Sequence, residues 1–374
     1  LAPDKFKGSL TAAQVAAPLA AGRRRAAPGT TVDELPVADG GEGTVAAALA
    51  AGYTPVELRA TGPLGVPVAT RYARRGDTAV VEMAAVSGLE MVDPTPATAG
   101  AATSRGVGEL IAHALDAGAR TVVVGIGGSA STDGGAGMLA ALGARLTGPH
   151  GPLPDGGAHL RDVVAVDLTG LHPGLAEATV RLASDVDNPL LGPDGAAAVY
   201  APQKGADPAG VAALEAGLAA FVTALERAGV PGARDLAQAP GAGAAGGVGY
   251  ACLLLGADRR PGIEEVLALT GFADRLAGAD LVVTGEGSLD EQSLHGKAPV
   301  GVARAAARAG VPTVAVCGRS TLTAAQARAA GLRSVYALST LEPDTTRSIA
   351  AAGPLLERLA ATIATEHLVP TETP

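Results

Sequence analysis

Five stretches of the chain set acids or lysines among closely spaced glycines: PDKFKGSLT (3–11), ADGGEGT (38–44), GIGGSASTDGGAG (125–137), ASDVDNPLLGPDGA (183–196) and TGEGSLDEQSLHGK (284–297). Glycine lets a backbone come close to an anion, and the free N–H groups of a following helix carry partial positive charge. GIGGSASTDGGAG, with Gly127 and Gly128, therefore reads either as a seat for a phosphate or carboxylate or as a tight strand-to-helix turn. Asp39 and Glu42 surround a glycine pair. Such carboxylates hold Mg²⁺ through water or cap the next helix. Glu286 and Asp290 are suited to hold a metal or orient a hydroxyl, and Lys297 to meet phosphate; the alternative is a solvated loop. Asp185, Asp187 and Asn188 stand where they can recognise a polyol and activate its hydroxyl, or Asn188 before Pro189 simply forms a turn. The histidines, His295 included, show no triad or metal spacing.

Composition singles out some of these residues. Four of the 28 basic residues are lysine, namely Lys5, Lys7, Lys204 and Lys297, and all lie in glycine-bearing stretches (DKFKGS, PQKG, HGKAP). Helix positions that need only charge carry arginine, as at Arg23, Arg24, Arg25, Arg304 and Arg308. An ammonium is a compact point charge and a guanidinium a wide planar fork, so a glycine-lined phosphate pocket favours the first. Asn188 is the only asparagine of the chain. Its carboxamide offers a donor and an acceptor together, which neither Asp nor Ser duplicates.

The rest of the composition narrows the class. Of 374 residues 48% are hydrophobic but 2% aromatic, so the core is aliphatic. Fifty-two glycines and 26 prolines exclude a plain helical bundle. A net charge of −9 argues against nucleic acid as partner, while leaving room for a local basic pocket. Cys252 and Cys317 show no ligand spacing and read as buried thiols in a reducing cytoplasm, without a disulfide. No apolar run reads as long enough to span a membrane, and the opening residues have no signal-peptide layout.

The elements that must position these loops alternate. A strand end at 1–8, a helix over 9–27 with a Thr11–Gln14 capping box, a strand at 31–37 and a second helix from 45 make a βαβα opening. Pro18 predicts a kink or a later start for the first helix. Short runs from 56 to 84 predict an antiparallel sheet. A helix after Ser104, strands at 121–127 and 179–186, and a helix over 209–228 follow. From Ala279 the chain returns to strand–helix alternation, closing on LLERLAATIATEH. The simplest assembly is α/β: a doubly wound lobe from both chain ends (1–58 and 257–374) with a mixed α/β lobe (59–256) inserted. Open α/β sheets bind ligands at the carboxyl ends of their strands, where nearly every glycine-rich stretch falls.

Taken in order, PDKFKGSLT, PVADGGEGT, GIGGSASTDGGAG, SDVDNPLLG, PQKGA, GAGAAGGVG (241–249), TGEGSLDEQ and GKAP resemble the type I glycerate kinases from end to end. The resemblance implies two α/β lobes, one Rossmann-like, with the active site in the cleft. It also implies phosphorylation of D-glycerate by ATP and Mg²⁺, in most members to 2-phosphoglycerate. Phosphoryl transfer asks for positioning and charge neutralisation. Asp185 is then the candidate base with Asp133 as second choice, Lys7 a phosphate ligand, and Asn188 a holder of a glycerate oxygen. Gly127, Gly128, Ser129, Lys5, Lys297 and Gly285 are the candidate ATP contacts, and Asp39, Glu42, Glu286 and Asp290 the candidate Mg²⁺ ligands. Arg105 is a candidate for the substrate carboxylate; it stands where an aromatic is common in the family, and Thr132 where many members have Asn. Relatives carry an apolar strand ahead of APDKFKG, where the sequence given opens at Leu1. The expected partner is D-glycerate in the cytoplasm, with a homodimer open and neither nucleic acid nor membrane involved. Two other readings stand beside this one. One is a nicotinamide-dependent hydroxyacid oxidoreductase, for which GxGxxG with an acid about 20 residues on is lacking. The other is a non-catalytic organic-acid sensor.

Overall fold

The computed structural model describes residues 1–368, apart from the side chain of His295. Internal contacts gather the chain into two units. The first comprises Leu1–Asp39, Ala46–Ala51 and the chain from Ile263 on; the second comprises Gly40–Val45 and Gly52–Gly262. The sequence-based boundary at 58 falls inside the strand Thr54–Thr61, and that at 257 just before the strand Asp258–Arg260. Both strands pair within the second unit's sheet.

The first unit is built on a parallel four-stranded sheet in the order Ala2–Pro3, Val282–Leu289, Thr313–Ser320, Leu332–Ala337. Val282 joins one apolar cluster with Ile263, Ala298 and Val302, and Val283 joins another with Val15, Leu19, Leu356 and Leu359. Helices thus cover both faces, which is why these strands read as continuous apolar runs. Ala12–Ala26 forms one helix through Pro18, opened by the Thr11–Gln14 capping box. Residues 31–37, expected as a strand, form none. They run beside the first strand on two bonds, Leu35 N–H to the Leu1 carbonyl and Val37 N–H to the Pro3 carbonyl. In a parallel ladder the return bond to Leu35 is donated by residue 3, and Pro3 has no N–H.

The second unit holds a mixed six-stranded sheet: Asp258–Arg260, Thr179–Ala183, Thr121–Gly125, Thr78–Glu82, Pro67–Arg75, Thr54–Thr61. The first four strands are parallel, and the last two pair antiparallel as expected. A small antiparallel sheet around Arg145–Gly148 was not legible in the sequence. The expectation that nothing is long and apolar enough to span a membrane needs correcting. The 20-residue helix Pro208–Arg227 is, by length and composition. Its apolar content has a local explanation, since Leu214, Leu218, Phe221, Val222 and Leu225 are buried in the unit's own core.

Candidate active site

In the first unit, residues 31–37 flank the first strand on one side and Val282–Leu289 flanks it on the other. Chain order therefore reverses at Ala2–Pro3, the kind of switch point whose carboxyl end binds ligands in open α/β sheets. Asp4 leaves that end, its N–H bonded to the Gly285 carbonyl at 2.8 Å. Its carboxylate is buried, accepts the Lys5 N–H at 2.6 Å and lies 3.9 Å from the Lys5 ammonium. Burial pushes Asp4 up to about 7; Lys5 opposes this, and the charges of Asp39 and Glu286 add to it. Glu286 is likewise raised by burial, opposed by the Ser293 hydroxyl and by Lys297. Asp4, Asp39 and Glu286 thus form a set of mutually repelling carboxylates with Lys5 and Lys297 beside them. A Cβ on Gly285 would meet the carbonyl of Val316 on the neighbouring strand at 2.4 Å, so close packing within the sheet requires glycine there. Lys7 is exposed in the tight loop Phe6–Leu10, which turns on Gly8 at φ 77°. Asp290 caps the following turn, accepting the N–H groups of Gln292 and Ser293.

In the second unit, Gly125 pairs with Ala183, so the two loops that carry chemistry leave adjacent strands side by side. Against them packs the 40–44 loop. A Cβ on Gly127 would lie 2.6 Å from the Gly41 Cα, and one on Gly40 3.1 Å from the Ala183 carbonyl. Glu82, buried at the end of the next parallel strand, holds this loop by accepting the N–H groups of Gly43 and Val45 at 3.2 and 2.9 Å. Glu42, expected on a metal, lies in the same loop. Asp185 is exposed and accepts the Gly262 N–H at 2.9 Å. Asp187 pairs with Arg259. Asn188 uses donor and acceptor together, but internally: Nδ2 donates to the Asp194 carbonyl, and Oδ1 accepts from Tyr200. The carboxamide thereby shapes the turn.

Two candidate residues of the glycine-rich loop are engaged within the chain. Asp133 is the first. It is buried among four donors: the N–H and hydroxyl of Ser104, both at 2.8 Å, and the N–H groups of Gly135 and Gly137. Burial raises its pKa against those bonds. The Ser129 hydroxyl is occupied too, accepting from Lys204 at 2.9 Å. Lys204 is itself buried and also donates to the Ser131 carbonyl at 2.6 Å. Burial lowers it to about 7, opposed by the Asp133 charge. Arg105 makes a bidentate pair with Asp155 at 2.5 and 2.8 Å, so its carboxylate partner is internal.

Sequence reasoning gave no role to Asp4, Glu82 and Ser104, and flagged Lys204 only as a scarce lysine. Asp4 stood inside a quoted motif and its charge beside Lys5 was a signal. Ser104 and Glu82 act across 29 and 39 residues of chain and carried none.

The model of the glycerate kinase family matches residues 1–368. Glycerate 2-kinase of Escherichia coli (strain K12) is 42% identical over 346 residues, covering 91% of this chain and 90% of that protein. Glycerate kinase of Bacillus subtilis (strain 168) is 43% identical over 323 residues, with coverages of 85% and 84%. A solved structure assigned as glycerate kinase 2 of Salmonella typhimurium LT2 superposes with a TM-score of 0.79 at 40% identity, covering 98% of both chains.

Proposed function

This chain belongs to the glycerate kinase family, and on that premise we propose that it transfers the γ-phosphoryl of ATP to the 2-hydroxyl of D-glycerate, giving 2-phosphoglycerate. What supports the reading best is the first unit's switch-point cluster, where Asp4 and Glu286 are raised carboxyls and each feels both Asp39 and an ammonium. Lone carboxylates would not gather there without compensation, and a metal-bound polyphosphate supplies it. Mg²⁺ is usually bound through one or two carboxylates together with phosphate oxygens and water. That mode suits Asp39 and Glu286, although among the described residues no group of three or more His, Cys, Asp or Glu is arranged to hold a metal by itself. When bound, the ion neutralises charge on the β- and γ-oxygens.

In this reading the chain's own groups do the positioning. Lys5, Lys7 and Lys297 face the phosphates, Lys7 from the exposed tip of the Phe6–Leu10 loop. In the second unit, Asp185 accepts the hydroxyl proton, its carboxylate oriented by the Gly262 N–H. Asn188 acts through the loop it shapes. Phosphorus NMR of one incubation with ATP, Mg²⁺ and D-glycerate tests the proposal. ADP with 2-phosphoglycerate is expected. 3-Phosphoglycerate would overturn the assigned hydroxyl. Unchanged ATP despite tight glycerate binding, or nicotinamide reduction by hydroxyacids, would overturn the kinase reading.

A further inference from the structure

Lys204 is the most completely enclosed cation of the second unit, at 2% exposure. It comes from the short PQKG turn, far along the chain from the residues it touches. Its ammonium donates to Ser129 Oγ at 2.9 Å and to the Ser131 carbonyl at 2.6 Å, with Asp133 as counter-charge. These are consecutive parts of one loop. The same loop is fastened from two other sides. Asp133 binds the N–H and hydroxyl of Ser104. From 241–249, Gly246 accepts the Gly134 N–H at 2.9 Å and packs so closely that a Cβ on it would meet the Ser131 carbonyl at 2.0 Å. Within this network Ser131 Oγ and Thr132 Oγ1 are buried without a hydrogen-bond partner among the described residues. Burying an ammonium is costly unless it is paired and bonded, and an apolar side chain fills a core position more cheaply. A lysine here therefore needs a reason beyond packing.

The loop it braces lies beside the proposed base. Gly125 and Ala183 are register partners on adjacent parallel strands, so Ile126–Ser129 and Ser184–Asp185 emerge together. A hydroxyl that gives its proton to Asp185 belongs to a molecule resting against the neighbouring loop. Glycerate brings a carboxylate, and the adjacent Gly127 and Gly128 leave that turn without side chains, so that an anion can come close to its backbone.

We propose that Lys204 is a positioning residue for glycerate: by clamping Ser129 and Ser131, with Asp133 as its counter-charge, it holds the 126–129 turn in the form that receives the substrate carboxylate beside Asp185. This rests on the kinase reading above. A misplacement of about 1 Å costs on the order of 10²-fold in rate, so a buried brace is enough to control turnover without touching substrate.

The test compares Lys204→Met and Lys204→Gln with wild type by steady-state kinetics and amide hydrogen exchange. Rates are normalised to the folded fraction. For both variants KM for glycerate should rise at least about tenfold, while KM for ATP stays within about twofold. Exchange should accelerate at Ala130 and Gly134, whose N–H groups bond to Ser87 and Gly246, and not across the strand Thr121–Gly125. Equal loss for both substrates, or accelerated exchange everywhere, would reduce Lys204 to a stabilising residue and overturn the proposal. So would wild-type kinetics in either folded variant. If Met is too damaging to fold, Gln keeps the measurement open, because it retains a donor for the Ser131 carbonyl. Failure of the kinase reading has a different signature, wild-type enzyme inactive with ATP and glycerate, whatever the exchange at Ala130 and Gly134.

Discussion

At the scale of single residues the site divides into groups open to a ligand and groups that hold others. Asp185 is exposed, whereas Asp133 is enclosed by four donors. Replacing Asp185 by Asn should therefore lower kcat by roughly 10²–10⁴-fold, the usual contribution of a general base, and leave the thermal melt unchanged. Turnover close to wild type would remove it from that role. Lys7→Arg keeps the charge but widens the head group, and kcat/KM should drop at least about tenfold; an innocuous exchange would mark Lys7 as an ordinary surface lysine. Scarcity was an informative signal for Lys204 and Asn188, both of which the structure uses in specific geometry. It could not say what they touch. Asn188 binds within its own turn and Lys204 binds a loop more than 70 residues away.

At the scale of elements, what the sequence made legible was local. Capping boxes are set by residues three apart, and the Thr11–Gln14 box is found as read, its helix running Ala12–Ala26 straight through the Pro18 position that was expected to interrupt it. The antiparallel runs Thr54–Thr61 and Pro67–Arg75 are hairpin neighbours and were equally readable. Residues 31–37 were not, because their pairing depends on a proline in the partner, not in the segment itself. The glycine loops show the same limit: their composition marked close approach, but not what approaches. Gly127→Ala sets a Cβ 2.6 Å from backbone of the 40–44 loop, which cannot yield cheaply. About 1–3 kcal/mol of stability should go, with glycerate turnover lost alongside. Gly8→Ala meets nothing within 4 Å despite φ 77°, so urea titration should find only the left-handed strain, about 1 kcal/mol. Equal costs for the two would mean that loop-to-loop packing does not organise the site.

At the scale of the whole molecule, two buried ionisable groups give the stability curve a predictable shape. Asp4 has its pKa raised from 3.8 to about 7 in the folded state, so its contribution is present below 3.8 and lost as pH rises through about 7. Lys204 is depressed from 10.5 to about 7, so its contribution is present above 10.5 and lost as pH falls through about 7. Metal-free protein unfolded by urea at a series of pH values should therefore show these two slopes meeting in a shallow minimum near neutrality. Asp4→Asn should flatten the acid side and Lys204→Met the alkaline side; a curve unaltered by both would mean that neither group is titrating as its burial implies. Cys252 and Cys317 are wholly buried, with burial pushing each thiol up to about 12. They are the only cysteines of the chain, and they fall one in each compact unit. A thiol reagent that modifies neither in the native protein becomes a pair of separate clocks, each started when its own half of the polypeptide opens. Peptide mapping of the labelled sites over time would tell whether the two units unfold in one concerted event or on independent schedules.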